Sequence, residues 1–204
     1  MKTKLLPYLL KNYSPGEPIF YKDISIGSSA DSMRHQFAML LKTGKIAKFG
    51  NGTFFLPKKS LLGGEPFIST DAVVFSKYIS RKDGIIGYYS GLTFANQLGV
   101  TYQVPIVKEI VSNNCSSNAR KIALNGREYQ IRKPKFKVTD ENHKVLQLLS
   151  FLENYRKYTD YESGDASEKV RAYAKSNGIT QEQLFKHAGN FNRSVYKTII
   201  ELGL

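Results

Sequence analysis

The chain has 204 residues, 41% of them hydrophobic, and a formal net charge of +13, enough apolar material for one large core or two modest ones. Its longest apolar runs, such as AVVF at 72–75, fall far short of the ~20 residues of a membrane-spanning helix. A single Cys115 excludes an internal disulfide and three scattered histidines give no metal-ligand spacing, so neither a cofactor nor a membrane is expected and a reducing cytoplasm fits best. The basic and leucine-rich start MKTKLLPYLLKNY contains Tyr8 and lacks a small-residue cleavage site, and reads as a helix over 3–12 rather than a signal peptide.

After a turn at SPGEP (14–18), IFYKDI (19–24) predicts a short strand running into a short second helix. Ser28 or Ser29 then caps a helix from about Ala30 to Thr43, stopped by Gly44. KIAKF (45–49) and TFFLP (53–57) read as two strands around the GNG turn at 50–52. Helix, short strand, helix, helix, hairpin is the order of a winged helix-turn-helix, whose third helix enters the DNA major groove. On the helix over 30–43, Met33, Phe37, Leu40 and Leu41 form the apolar stripe. The opposite side carries Ser28, Asp31, Ser32, His35, Met39 and Lys42, with Ser29 at its start and Arg34 and Gln36 flanking. Lys45, Lys48 and Asn51 extend this polar surface onto the hairpin, and groups of these types hydrogen-bond base edges and phosphates. The same small module also serves as a protein-interaction domain, in which such a face is merely solvated. His35 has no carboxylate-and-nucleophile arrangement beside it and is not read as a catalytic base.

KKSLLGGEP (58–66) reads as a linker, dividing the chain into a domain over 1–60 and a second over 61–204. In the second, STDAVVFSKYIS (69–80) predicts a helix, and Gly91 to Leu98 a short one capped by Ser90 and stopped by Gly99. Residues 101–112, 120–124 and 128–132 read as strands of a small mixed or antiparallel sheet, with Asn125-Gly126 as the hairpin turn. This mixed α/β part covers about 67–138, and a helical part follows over about 139–204. The helical part begins with a helix over 139–155 capped by Thr139, whose buried stripe is Val145, Leu146, Leu148, Leu149 and Leu152. Further helices fall at 167–176, after a capping box at Thr180 and Gln183, and over about 192–202. The fold class is therefore α+β, a winged helix-turn-helix followed by a sheet and a helical bundle.

Charge is confined to two blocks. Residues 1–60 hold ten Lys/Arg against three Asp/Glu, and 101–139 hold eight against two, whereas the remaining stretches are balanced. An excess so placed points to a polyanionic partner, double-stranded DNA given the N-terminal pattern. The second block gathers Arg120, Lys121, Arg127, Arg132, Lys133, Lys135 and Lys137. In IRKPKFKVT (131–139) the three lysines alternate with Pro134, Phe136 and Val138, placing them on one side of an extended segment. This stripe reads either as a second phosphate-tracking surface or as an edge strand guarded by lysines. A nucleic-acid enzyme would need a carboxylate cluster, and the one candidate, Asp160, Glu162 and Asp165, lies in a polar loop.

The string GIIGYYSGLTFANQLGVTYQVP (84–105), the strand ending in SNN (112–114), the NGREYQIRKPK region (125–135) and the helix NHKVLQLLSFLENY (142–155) resemble the AbiEi antitoxin family of bacterial abortive-infection toxin–antitoxin systems. The resemblance implies a repressor that binds inverted repeats in its own promoter, with two copies per operator. It further implies an antidote to a nucleotidyltransferase-like toxin, acting through the C-terminal domain without a stable complex with that toxin. By the same resemblance the basic sheet region also contacts DNA. The family carries no catalytic motif, and no catalytic residue is expected.

Overall fold

Leucines three to four residues apart build the first helix, α1 (Leu5–Asn12), which buries Leu5 and Leu9. The computed structural model describes residues 4–50, 52–58, 66–159 and 166–204 and falls into two compact units, Met1–Val73 and Val74–Leu204. The architecture is mixed α+β. Among the described residues no helix is long and apolar enough to cross a membrane.

In the first unit α1 is followed by β1 (Pro18–Phe20), one 3-10 turn at Tyr21–Asp23, α2 (Ala30–Lys42), β2 (Ala47–Gly50) and β3 (Thr53–Phe55). The second helix expected within 19–24 is thus a single turn, because Ile24 already returns to extended backbone. The strands pair antiparallel in the order β1-β3-β2. Strand β2 begins two residues later than the sequence pattern implies, since the amides of Lys45 and Ile46 still donate to the Leu40 carbonyl at the end of α2. Met33, Phe37 and Leu40 of α2 are buried against Leu5, Leu9, Ile19, Ile46 and Phe54. Phe37 sits centrally, its ring centroid 5.1 Å from Tyr21 and 4.7 Å from Phe54.

The second unit opens with α3 (Thr70–Tyr78), across which the division between units falls. The Ser69 hydroxyl accepts the Ala72 amide at its start, as a helix cap does. A two-residue hairpin, β4 (Ser80–Arg81) and β5 (Gly84–Ile85), precedes β6 (Gly87–Tyr89) and α4 (Gly91–Leu98). Then come β7 (Val107–Ser112), β8 (Ala119–Leu124) and β9 (Arg127–Arg132). The sheet order is β6-β7-β9-β8, with β7 and β9 parallel and the outer pairs antiparallel. Asn125 (φ 49°) and Gly126 (φ 74°) make the β8–β9 turn, as two left-handed residues in a tight hairpin must. Strand β6 lacks the length that marks a strand in the sequence. Residues 101–106, read there as strand, are irregular: Pro105 has no amide to donate, and the Gln103 amide and carbonyl are taken by Thr101 Oγ1 and Asn96 Nδ2.

Each sheet face covers its own core. One row holds Tyr89, Ile110, Ile131 and Arg120 side by side, and this face packs with Tyr129 on Val74, Tyr78 and Ile79. The other face presents Tyr88 and Val111 to the helical core, built from α4, α5 (His143–Leu152), the short α6 (Tyr155–Tyr158), α7 (Ala166–Ser176), α8 (Gln181–Ala188) and α9 (Ser194–Leu202). Helix α5 is its axis: seven of its ten residues are buried, so it is enclosed on nearly all sides rather than along one stripe. It starts at His143 and not near Thr139, because the Thr139 amide donates to Asn142 Oδ1 within the preceding turn. The capping box at Thr180 and Gln183 is present at the start of α8.

The conspicuous string at 84–98 serves close packing. A Cβ on Gly87 would collide with the carbonyl oxygens of Tyr78 and Val111, and one on Gly91 with the Glu109 carboxylate. Asn113 donates to the Val138 carbonyl (2.8 Å) and accepts its amide (2.9 Å), standing in for a strand neighbour.

Two substitutions test these cores. Phe37→Ala removes a buried aromatic and lowers stability by about 3–5 kcal/mol; urea unfolding measures the loss, and accelerated hydrogen exchange falls within 5–55. Gly87→Ala forces a backbone shift costing about 1–3 kcal/mol, with accelerated exchange within 84–112 instead.

Candidate nucleic-acid interface

The candidate surface of the first unit is organised by α2. The Ser29 hydroxyl accepts the Ser32 amide at 3.3 Å and starts the helix. At the other end Thr43 donates to the Met39 carbonyl, and the chain turns through Gly44 into β2. With Met33, Phe37 and Leu40 directed into the core, helical geometry leaves Asp31, Arg34, His35, Ala38, Met39 and Lys42 exposed. Lys45 in the connecting turn and Lys48 on β2 are exposed as well. Asn51 lies outside the described residues.

Not all of the residues expected at this surface are equally available. Gln36 accepts the Leu5 amide at 2.9 Å and donates to the Ser32 hydroxyl at 3.2 Å, so it and Ser32 join α1 to α2. Both are half-buried, as is Ser28. Arg34 forms an ion pair with Asp31 at 3.1 Å, one turn earlier, with both side chains largely exposed. Such a surface pair contributes at most about 1 kcal/mol, so a phosphate or guanine edge can displace it. The exposed Ala38 and Met39 add what the polar residues lack, an apolar patch able to meet a thymine methyl group. Ala38 was not recognisable in the sequence because it flanks the apolar stripe.

The second basic block does not gather on one surface. Register places Arg120 on one sheet face and Lys121 on the other. Arg120 donates to the Tyr78 hydroxyl at 2.8 Å, lies 5.5 Å from that ring's centroid and is half-buried. Burial pushes the Tyr78 phenol up, and the Arg120 charge pulls it back, which makes Arg120 part of the core that covers this face. Arg132 pairs with Glu109 at 3.2 Å. Lys135 pairs with Glu153 and lies 4.5 Å from the Phe191 ring centroid. Lys121, Arg127, Lys133 and Lys137 are exposed. The alternation over 133–138 is present, with Pro134 and Phe136 half-buried and Val138 buried, yet the segment forms no strand. It is irregular chain, bent at Lys135 and Phe136 and tied at Val138 to Asn113, and the sheet edge beside β9 is β8, so guarding an edge is not what its lysines do.

Among the described residues no group of three His, Cys, Asp or Glu could hold a metal ion. Asp160, Glu162 and Asp165 lie outside the described residues.

The two faces of β8 give a direct test. Arg120→Ala leaves the buried Tyr78 hydroxyl without its partner and lowers stability by about 1–3 kcal/mol, whereas Lys121→Ala changes it by less than about 0.5 kcal/mol; thermal unfolding of both variants measures the contrast.

A comparison with curated proteins gives no match. One family model matches residues 7–162, more than half of the chain and parts of both units. The chain with this helix face and divided basic block therefore belongs to DUF6088, a family of unknown function.

Proposed function

We propose that the first unit is a winged helix-turn-helix that binds double-stranded DNA, and that the protein is a bacterial antitoxin repressing its own operon. The observation that carries the DNA reading is the continuous exposed face of α2, with Arg34, His35 and Lys42, running on into Lys45 and Lys48. The buried Met33, Phe37 and Leu40 on the other side of the helix support it, since they anchor a helix whose outer face is free to enter a groove. The 3-10 turn at Tyr21–Asp23 takes the place of the second helix, and the β2–β3 hairpin that of the wing. Exposed Lys121, Lys133 and Lys137 add phosphate contacts from the second unit, fewer than its charge excess implies, because Arg120, Arg132 and Lys135 hold protein partners.

The antitoxin half of the proposal rests on the resemblance of 84–155 to the AbiEi family. In this reading the second unit neutralises a nucleotidyltransferase-like toxin encoded beside it, without a stable complex. Two copies occupy an inverted repeat, with half-sites spaced by whole helical turns.

Fluorescence anisotropy with the DNA upstream of the gene tests the repressor. Neutralising six to ten phosphates makes affinity fall by about 10³–10⁵ between 50 and 200 mM salt. Lys48→Ala lowers the salt slope by about one for every sequence, while Arg34→Ala costs about 1–3 kcal/mol and relaxes base preference. Salt-independent binding, or equal affinity for unrelated duplex, overturns the reading. Co-expression with the neighbouring gene product tests the antidote: restored growth is expected, and persistent toxicity sinks that half alone.

A further inference from the structure

Apart from the basic block over 120–137, the second unit contains a cleft of about 440 Å³ where α3, β6, α4, α5 and α7 meet. This is within the size range of small-molecule sites. We propose that the cleft binds a small planar aromatic molecule carrying an anionic group. The inference does not depend on the DNA or antitoxin readings, since every lining residue lies between Phe75 and Tyr173, inside the second unit.

Aromatic side chains from separate elements make the walls: Phe75 of α3, Tyr89 of β6, Phe94 of α4 and Tyr173 of α7. Phe94 and Tyr173 meet edge to face, with ring centroids 5.2 Å apart. That geometry turns one ring face and one ring edge toward any third ring placed beside them. Phe75 is 42% exposed, a large apolar side chain left at the mouth with a surface to cover.

The polar groups are few. Among the described residues no carboxylate lines the cleft. Gln147, buried at its floor, donates to the Tyr89 carbonyl at 2.8 Å and accepts from the Tyr173 hydroxyl at 2.7 Å, so floor and wall are fixed before a ligand arrives. Burial raises the Tyr173 phenol far above its ordinary range, keeping it neutral beside an anion. The cation is Lys144, half-buried and with its ammonium 5.9 Å from the Tyr173 ring centroid. Next to it His143 Nδ1 lies 2.9 Å from the Asp140 carbonyl oxygen; a carbonyl only accepts, so Nδ1 carries the proton and the ring is fixed by the backbone, leaving Lys144 as the group that meets the anion. An apolar slot with Lys144 as its one charged lining residue among those described favours an aromatic anion over a neutral or cationic ring.

Calorimetric titration of the full chain with naphthalene-2-carboxylate, beside the neutral 2-naphthylmethanol, tests the site. Saturable binding of the acid is expected, about tenfold tighter than the alcohol, as one charge-assisted hydrogen bond supplies. Lys144→Gln abolishes that preference and leaves the alcohol's affinity unchanged. Gln97→Trp, at an exposed position on the rim, blocks both ligands while thermal unfolding stays at the wild-type temperature. The proposal is overturned if the acid does not saturate the wild-type chain, if acid and alcohol bind equally, or if a folded Gln97→Trp protein binds the acid as before.

Discussion

The second unit depends on one carboxylate. Glu109 lies on β7 where the start of α4 meets the sheet, and all of its polar groups are engaged there. Its side chain accepts the Leu92 amide at 3.3 Å and pairs with Arg132 of β9 at 3.2 Å. Its carbonyl accepts the Ser90 amide at 2.9 Å, and its own amide donates to Thr93 Oγ1 at 2.8 Å. A negative charge at the first turn of a helix is stabilising in itself; here it also joins α4 to two strands. Gly91 takes φ 55°, which favours glycine, and a Cβ there would press on the carboxylate. Once α4 is held this way, Phe94 and Ala95 enter the helical core and one wall of the aromatic cleft is in place.

The sheet separates two cores, which explains the burial of α5. An element covering a single face of a sheet would keep a solvated side. Helix α5 instead lies between the sheet and the remaining helices, so even its polar Gln147 is buried. A buried amide is costly unless satisfied, and this one is satisfied at both ends by Tyr89 and Tyr173. The resulting link crosses from strand to helix to helix and fixes their relative placement more specifically than apolar contact does.

Under the proposed reading, charge is used in two ways. In the first unit the exposed cations follow one another along α2 and into the hairpin, where a duplex can meet them together. In the second unit similar side chains are divided. Arg120 closes a core over Tyr78, Arg132 and Lys135 neutralise Glu109 and Glu153, and the remainder stay at the surface. A sum over the sequence counts all of them alike, whereas a cation that covers a ring or neutralises a shielded carboxylate is already engaged.

Local patterns alone determined a good part of this protein. The Met33, Phe37 and Leu40 spacing marked the buried side of α2, Asn125-Gly126 marked a hairpin, and Thr180 with Gln183 marked a helix start, because each is an interaction over four residues or fewer. The exposed positions Arg34, His35, Lys42 and Lys48 followed from the same periodicities. Tertiary structure alone decided the parallel pairing of β7 with β9, the short β6, the irregular 101–106 and the late start of α5, since each depends on partners far away or on a side chain claiming a particular amide. It also decided the separation of Arg120 from Lys121, neighbours whose faces are set by strand register, and the cleft, whose walls come from elements nearly a hundred residues apart.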